Sequence, residues 1–212
     1  MPPPRLDLPA LERARRHLLR RDPALAPLIR RVGPCGLRPR GDPYRSLLRS
    51  VLHQQLAGAA AGAIEGRLRA RFGGRFPPAA RLRETDDATL RGVGLSRQKS
   101  ATLRAIAAAF ADGTLESRRL RRLDDAAVME AVTALPGIGP WTAHMLLMLS
   151  LGRPDVLPVG DYGVRKGAQL VYGLRELPTP RALESLAEPW RPWRSVASWY
   201  LWRRVSPLPA AP

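Results

Sequence analysis

The chain has 212 residues, enough for one substantial domain or for two lobes sharing a core. Its formal net charge of +17 is more than a compact soluble enzyme needs, and a polyanionic partner is the simplest reason to carry it; a basic protein for RNA, ribosome or membrane surface is the competing reading of charge alone. Cys35 is the single cysteine, which excludes an intrachain disulfide and a cysteine-based zinc or iron–sulfur site, and His17, His53 and His144 lack metal-ligand spacing. No apolar run reaches the roughly 20 residues of a membrane span, and Met1-Pro2-Pro3-Pro4 lacks the apolar core of a signal peptide. The expectation is a soluble cytoplasmic protein without cofactor or membrane partner.

The elements predicted along the chain are helical almost throughout. Asp7 and Pro9 open a helix to about Arg21, and Asp22-Pro23 restarts the chain into a short helix ending near Val32. The stretch 33–41, rich in Pro and Gly, is a loop. Asp42-Pro43 opens a helix with Leu47, Leu48, Val51 and Leu52 on one face. A helix from Ala57 to Phe72 carries Gly58, Gly62 and Gly66, and close packing against a neighbouring helix is the reason expected for those glycines. Asp86 or Asp87 caps a short helix ending at Gly92-Val93-Gly94. Ser96 caps the next, with Leu103, Ile106, Ala107 and Phe110 on one side.

A helix beginning at Asp124 or Asp125 stops at Pro136. Pro140 opens one that continues to about Leu151; others start at Asp161 and at Thr179-Pro180, and the last runs over Trp193 to Arg204. No alternating strand and no repeat is present in this reading. The fold class expected is all-α.

One segment carries an ordered set of functional groups. Gly137 and Gly139 flank Ile138 in a tight turn between two helices, where glycine permits positive φ and a close approach of backbone to a ligand. The helix start at Pro140 offers N–H groups to a phosphate. Trp141 suits a base, and Asp161 suits a developing positive charge. Together they suggest an enzyme acting on a nucleobase in duplex DNA.

Leu135-Pro136-Gly137-Ile138-Gly139-Pro140-Trp141-Thr142-Ala143 resembles the helix–hairpin–helix of the DNA glycosylase superfamily that also contains endonuclease III. Asp161 sits where that superfamily keeps its catalytic aspartate. His53-Gln54-Gln55-Leu56-Ala57 is similar to its Gln-Gln-Leu/Ile-Ser segment, and Gly94-Leu95-Ser96-Arg97-Gln98-Lys99 to its Gly-Leu-Ser-x-x-Lys. The segments 161–167 and 190–195 resemble those of the alkylation-repair branch, 3-methyladenine DNA glycosylase II. The resemblance covers roughly Asp42 to Arg204. It implies two helical lobes with a cleft between them: residues 1–41 contribute to one lobe, 42–206 form the glycosylase core, and no separate β-rich N-terminal domain is expected.

The resemblance also distributes roles. Asp161 is the catalytic carboxylate that stabilises an oxocarbenium-like sugar and positions water. Trp141, Tyr162 and Trp202 match pocket aromatics for a flipped base, whose positive charge, when N-alkylated, an aromatic face attracts by roughly 0.5–2 kcal/mol. Trp190, Trp193 and Trp199 are read as packing residues, and Asp155 as structural. Gly137, Ile138, Gly139 and Thr142 form the DNA-binding hairpin, whose carbonyls can hold a monovalent cation in this superfamily. Gln55 falls at the wedge position, with Gln54 and Leu56 as neighbouring candidates, although the alkylation-repair branch typically has an apolar residue there. Arg97, Lys99, Arg165 and Lys166 are candidate phosphate contacts.

Strand-cutting relatives carry a lysine just after the hairpin, where this chain has Trp141. The expected activity is therefore monofunctional excision of N-alkylated purines from double-stranded DNA, by a monomer associated with the nucleoid. A glycosylase for an oxidised or deaminated base, and a non-catalytic DNA-binding hairpin protein, are the alternatives.

Overall fold

A computed structural model describes residues 3–39, 41–56 and 58–205, and among them every regular element is helical. Two compact units divide the chain, and they do not follow its order. Among the described residues, one takes Pro3, 41–56 and 58–151; the other joins 4–39 to 152–205. No helix among the described residues is long and apolar enough to cross a membrane.

The first unit holds α3 (Pro43–His53), α4 (Gly58–Arg71), α5 (Ala79–Arg83), α6 (Asp87–Gly92), α7 (Arg97–Ala111), α8 (Ser117–Arg122), α9 (Asp125–Thr133) and α10 (Pro140–Met145). The cap signals read from the sequence close these helices. Asp42, Asp86, Ser96 and Asp124 each accept a backbone N–H two or three residues on. Leu47, Leu48, Val51 and Leu52 of α3 are buried, and α3 packs against α4, α7 and α10, which makes it the centre of this unit. Past Met145 the helix widens into a π-helical segment over Leu146–Leu151 rather than continuing as α. The short helices α5 and α8 were absent from the sequence reading, because five or six residues are too few to display a period.

The glycines of α4 depart from expectation. An added Cβ at Gly58, Gly62 or Gly66 would meet no protein atom within 4 Å. Among the described residues no neighbouring helix comes that close to these positions, and only Ala61 and Leu68 of α4 are buried. The predicted start, Ala57, lies outside the described residues.

The second unit contains α1 (Leu8–Arg21), α2 (Ala26–Val32), α11 (Tyr162–Tyr172), α12 (Pro180–Leu186) and α13 (Arg194–Val205), with a single 3-10 turn at Glu188–Trp190. Its core gathers Leu11, Leu18, Leu25 and Ile29 from the N-terminal segment with Val164, Leu183, Trp190, Val196 and Tyr200 from the C-terminal one. Asp22 does more than restart the chain. Buried, it accepts the Leu25 N–H at 2.9 Å, the Trp190 indole N–H at 2.6 Å and the Tyr172 hydroxyl, tying the two segments by hydrogen bonds. Burial pushes the Tyr172 hydroxyl well above its ordinary range, so it serves as a donor here. Asp155 is held by both guanidinium arms of Arg194, at 2.8 and 2.9 Å, and by Arg191 at 3.0 Å. Burial also pushes the Cys35 thiol up to about 12, which removes it as a nucleophile.

Candidate active site

In the second unit, Asp161 is the N-cap of α11 and is 9% exposed. Its Oδ1 accepts the Val164 backbone N–H at 2.8 Å and the Trp202 indole N–H at 2.9 Å. Capping alone would need only the first of these. The second comes from α13, 41 residues further along the chain, and it fixes the carboxylate in one orientation.

Two glycines make this approach possible. A Cβ on Gly163 would stand 2.9 Å from Trp202 Cδ1 and 3.2 Å from Asp161 Oδ1. A Cβ on Gly167, one turn later, would stand 2.5 Å from the Leu201 carbonyl oxygen. Both glycines face α13, and any larger residue would push it outward. Trp202, read from the sequence as a pocket aromatic, holds the carboxylate through its indole N–H. Tyr162, directly after Asp161, is 65% exposed and free to present its ring to a ligand. Trp190 and Trp199 are buried and Trp193 partly so, as packing residues should be.

The first unit carries the hairpin. Gly137 has φ +80°, and a Cβ there would lie 2.0 Å from Thr102 Oγ1 on α7, so both backbone angle and space require glycine. Gly139 differs from expectation: its φ is −99° and a Cβ would meet no protein atom within 4 Å. Among the described residues nothing demands a glycine at that position. Ile138 is buried and anchors the turn, with its N–H donated to the Leu135 carbonyl at 3.1 Å. Trp141 stands in the first turn of α10 and is half-buried. Burial lowers the His144 imidazole, one turn further along, below its ordinary value of 6.5.

The turn after α3 separates the three wedge candidates. Gln54 points inward: its amide donates to the Gly137 carbonyl at 3.2 Å and to Thr142 Oγ1 at 3.0 Å. These two bonds engage Gln54 with the hairpin. One hairpin carbonyl, that of Gly137, thus accepts a protein amide. Gln55 is exposed with φ +55°, the single non-glycine residue in the left-handed region among those described, at a cost of about 1–3 kcal/mol. Leu56 follows, 40% exposed.

The four candidate phosphate contacts also differ. Arg97 is exposed at the start of α7. Lys99 turns inward, its ammonium donating to the carbonyls of Leu52 and Gln54, both at 2.9 Å, and burial lowers its proton affinity. Arg165 Nε donates to the Pro178 carbonyl at 2.8 Å and Lys166 to Gln169 Oε1 at 2.8 Å, so both are partly committed within the second unit. Among the described residues no cluster of three His, Cys, Asp or Glu side chains could hold a metal ion.

The glycine turn between α9 and α10, braced by Thr102, makes the first unit a helix–hairpin–helix protein, and the second unit holds a buried aspartate at a helix start. A family model described as HhH-GPD superfamily base excision DNA repair protein matches residues 48–192, and the chain belongs to that family. Over 197 residues it is 30% identical to the alkylbase DNA glycosidase-like protein mag2 of Schizosaccharomyces pombe, covering 91% of this chain and 92% of that protein. It is 35% identical over 131 residues to DNA-3-methyladenine glycosylase 1 of the same yeast, covering 61% of this chain and 58% of that one. The structure of the S. pombe 3-methyladenine DNA glycosylase Mag1 in complex with abasic DNA superposes with a TM-score of 0.85 at 34% identity, covering 90% of this chain and 95% of that one.

Proposed function

We propose that this protein is a monofunctional DNA glycosylase that excises N-alkylated purines, of the 3-methyladenine and 7-methylguanine type, from double-stranded DNA in base excision repair. The observation that carries the reading is Asp161, buried at a helix start and oriented through Oδ1 by the Val164 and Trp202 N–H groups. The names of the relatives support the substrate class, and abasic DNA bound to Mag1 is the product such chemistry leaves.

In the reaction the C1′–N bond breaks and its electron pair departs with the base, which leaves neutral if it was cationic. Positive charge develops on the deoxyribose, and the Asp161 carboxylate stabilises it electrostatically. A water oxygen then bonds to C1′ and gives its proton to the carboxylate, leaving a free base and an abasic sugar. Trp141 and Tyr162 supply aromatic faces for a cationic purine, worth about 0.5–2 kcal/mol. With Trp141 in place of the lysine of strand-cutting relatives, no amine follows the hairpin to form a Schiff base, so the strand stays intact. The protein acts as a monomer, and its charge of +17 keeps it on the nucleoid.

Release of free base from methylated duplex DNA tests the reading, with Asp161→Asn beside the unaltered protein. The amide keeps the capping oxygen, so binding should persist while excision falls by at least about 100-fold. Nicks should appear only after alkali. Equal loss of binding and excision, or release of oxidised or deaminated bases alone, overturns the proposal.

A further inference from the structure

Lys99 and Gln54 form a connection between two parts of the first unit that the sequence treats separately. The last carbonyls of a helix have no partners within it and carry partial negative charge. At the end of α3 the Lys99 ammonium takes two such oxygens, those of Leu52 and Gln54. The next residue is Gln55, whose left-handed backbone persists only where its surroundings over-determine it. Lys99 holds the carbonyl immediately before that strained position.

Gln54 extends the connection. Its backbone oxygen is gripped by α7, and its side-chain amide grips the hairpin at Gly137 and Thr142. Thr102, three residues after Lys99 and on the same face of α7, fills the space where a Gly137 Cβ would be. One helix thus braces both the turn and the hairpin, and Gln54 closes the triangle between them. The exposed pair Gln55 and Leu56 is held in register with the backbone that suits a phosphate.

We propose that Lys99 is a positioning residue: through Gln54 it holds the Gln55–Leu56 turn in register with the hairpin, so that gripping the phosphate and opening the base stack occur as one act. The proposal rests on the glycosylase reading above. It also removes Lys99 from the phosphate contacts, because its donors point into the protein.

The test uses a duplex with 2-aminopurine beside a tetrahydrofuran abasic site, whose fluorescence rises when the neighbouring stack is opened. Lys99→Met keeps length and removes the donors; Gln54→Ala, on a surface turn, is the milder variant. Each should abolish most of the fluorescence rise and slow single-turnover excision by about tenfold, the scale of a misplaced reacting group. Affinity for undamaged duplex, and its dependence on salt, should stay within about twofold. The double variant should be no worse than the more severe single one, because both break the same connection.

A fluorescence rise retained in both variants overturns the proposal. So does a parallel loss of undamaged-duplex binding, or an effect that simply adds in the double variant. If the unaltered protein opens the stack yet releases no methylated purine, the substrate reading fails while the fluorescence still decides the role of Lys99.

Discussion

The helices α4 and α11 carry glycines at the same four-residue spacing, and the two sets do opposite things. Among the described residues, no atom outside the helix's own backbone would meet a Cβ at Gly58, Gly62 or Gly66, so these glycines lower helix propensity without admitting a close neighbour there. Gly163 and Gly167 lie against α13, where a Cβ would strike Trp202 and the Leu201 carbonyl. The second pair brings an indole N–H onto the Asp161 carboxylate. Spacing identifies a possible contact face; only the opposing surface makes it one.

Alanine at each site turns that contrast into measurement. Gly167→Ala should have the largest effect, destabilising the protein by about 3 kcal/mol in urea unfolding, because the Leu201 backbone cannot yield as a side-chain tip can. An unchanged midpoint would mean that α11 and α13 separate at little cost. Gly163→Ala should cost less stability and instead slow excision by about tenfold, through a displaced Trp202 and a reoriented Asp161. A loss of stability equal to that of Gly167→Ala, with normal excision, would break the link between this glycine and the carboxylate. Gly62→Ala and Gly66→Ala should each raise stability by about 0.5–1 kcal/mol, as expected for solvent-facing helix interiors. Destabilisation by either would show that α4 is packed after all.

Much of the local structure around the candidate site was legible from local rules. The hairpin sequence signals its own turn, and Asp161 is written as an N-cap ahead of an apolar-periodic helix, which is how it folds. The sequence is silent where one residue has several uses for the same chemistry. A lysine in a DNA-binding motif can face phosphate or satisfy a helix end, and Lys99 does the latter. Of two adjacent glutamines, one reaches outward and one inward, and nothing in Gln54-Gln55 says which. Gly139 lies two residues from Gly137, yet only Gly137 has the backbone angle and the neighbour that require glycine. Asp22 reads as a helix stop, although its burial beneath Trp190 and Tyr172 makes it a junction.

By itself the sequence determined the longer helices and their caps, the hairpin turn, the sign of the partner's charge and the residue types able to do the chemistry. Each of these depends on interactions within a few residues or on a sum over the whole chain. Tertiary structure decided which glycines permit contact, which amine and amide turn inward, and that Trp202 meets Asp161 across 41 residues of chain. Those outcomes depend on what stands opposite a side chain, and opposition in space is set only when distant helices pack.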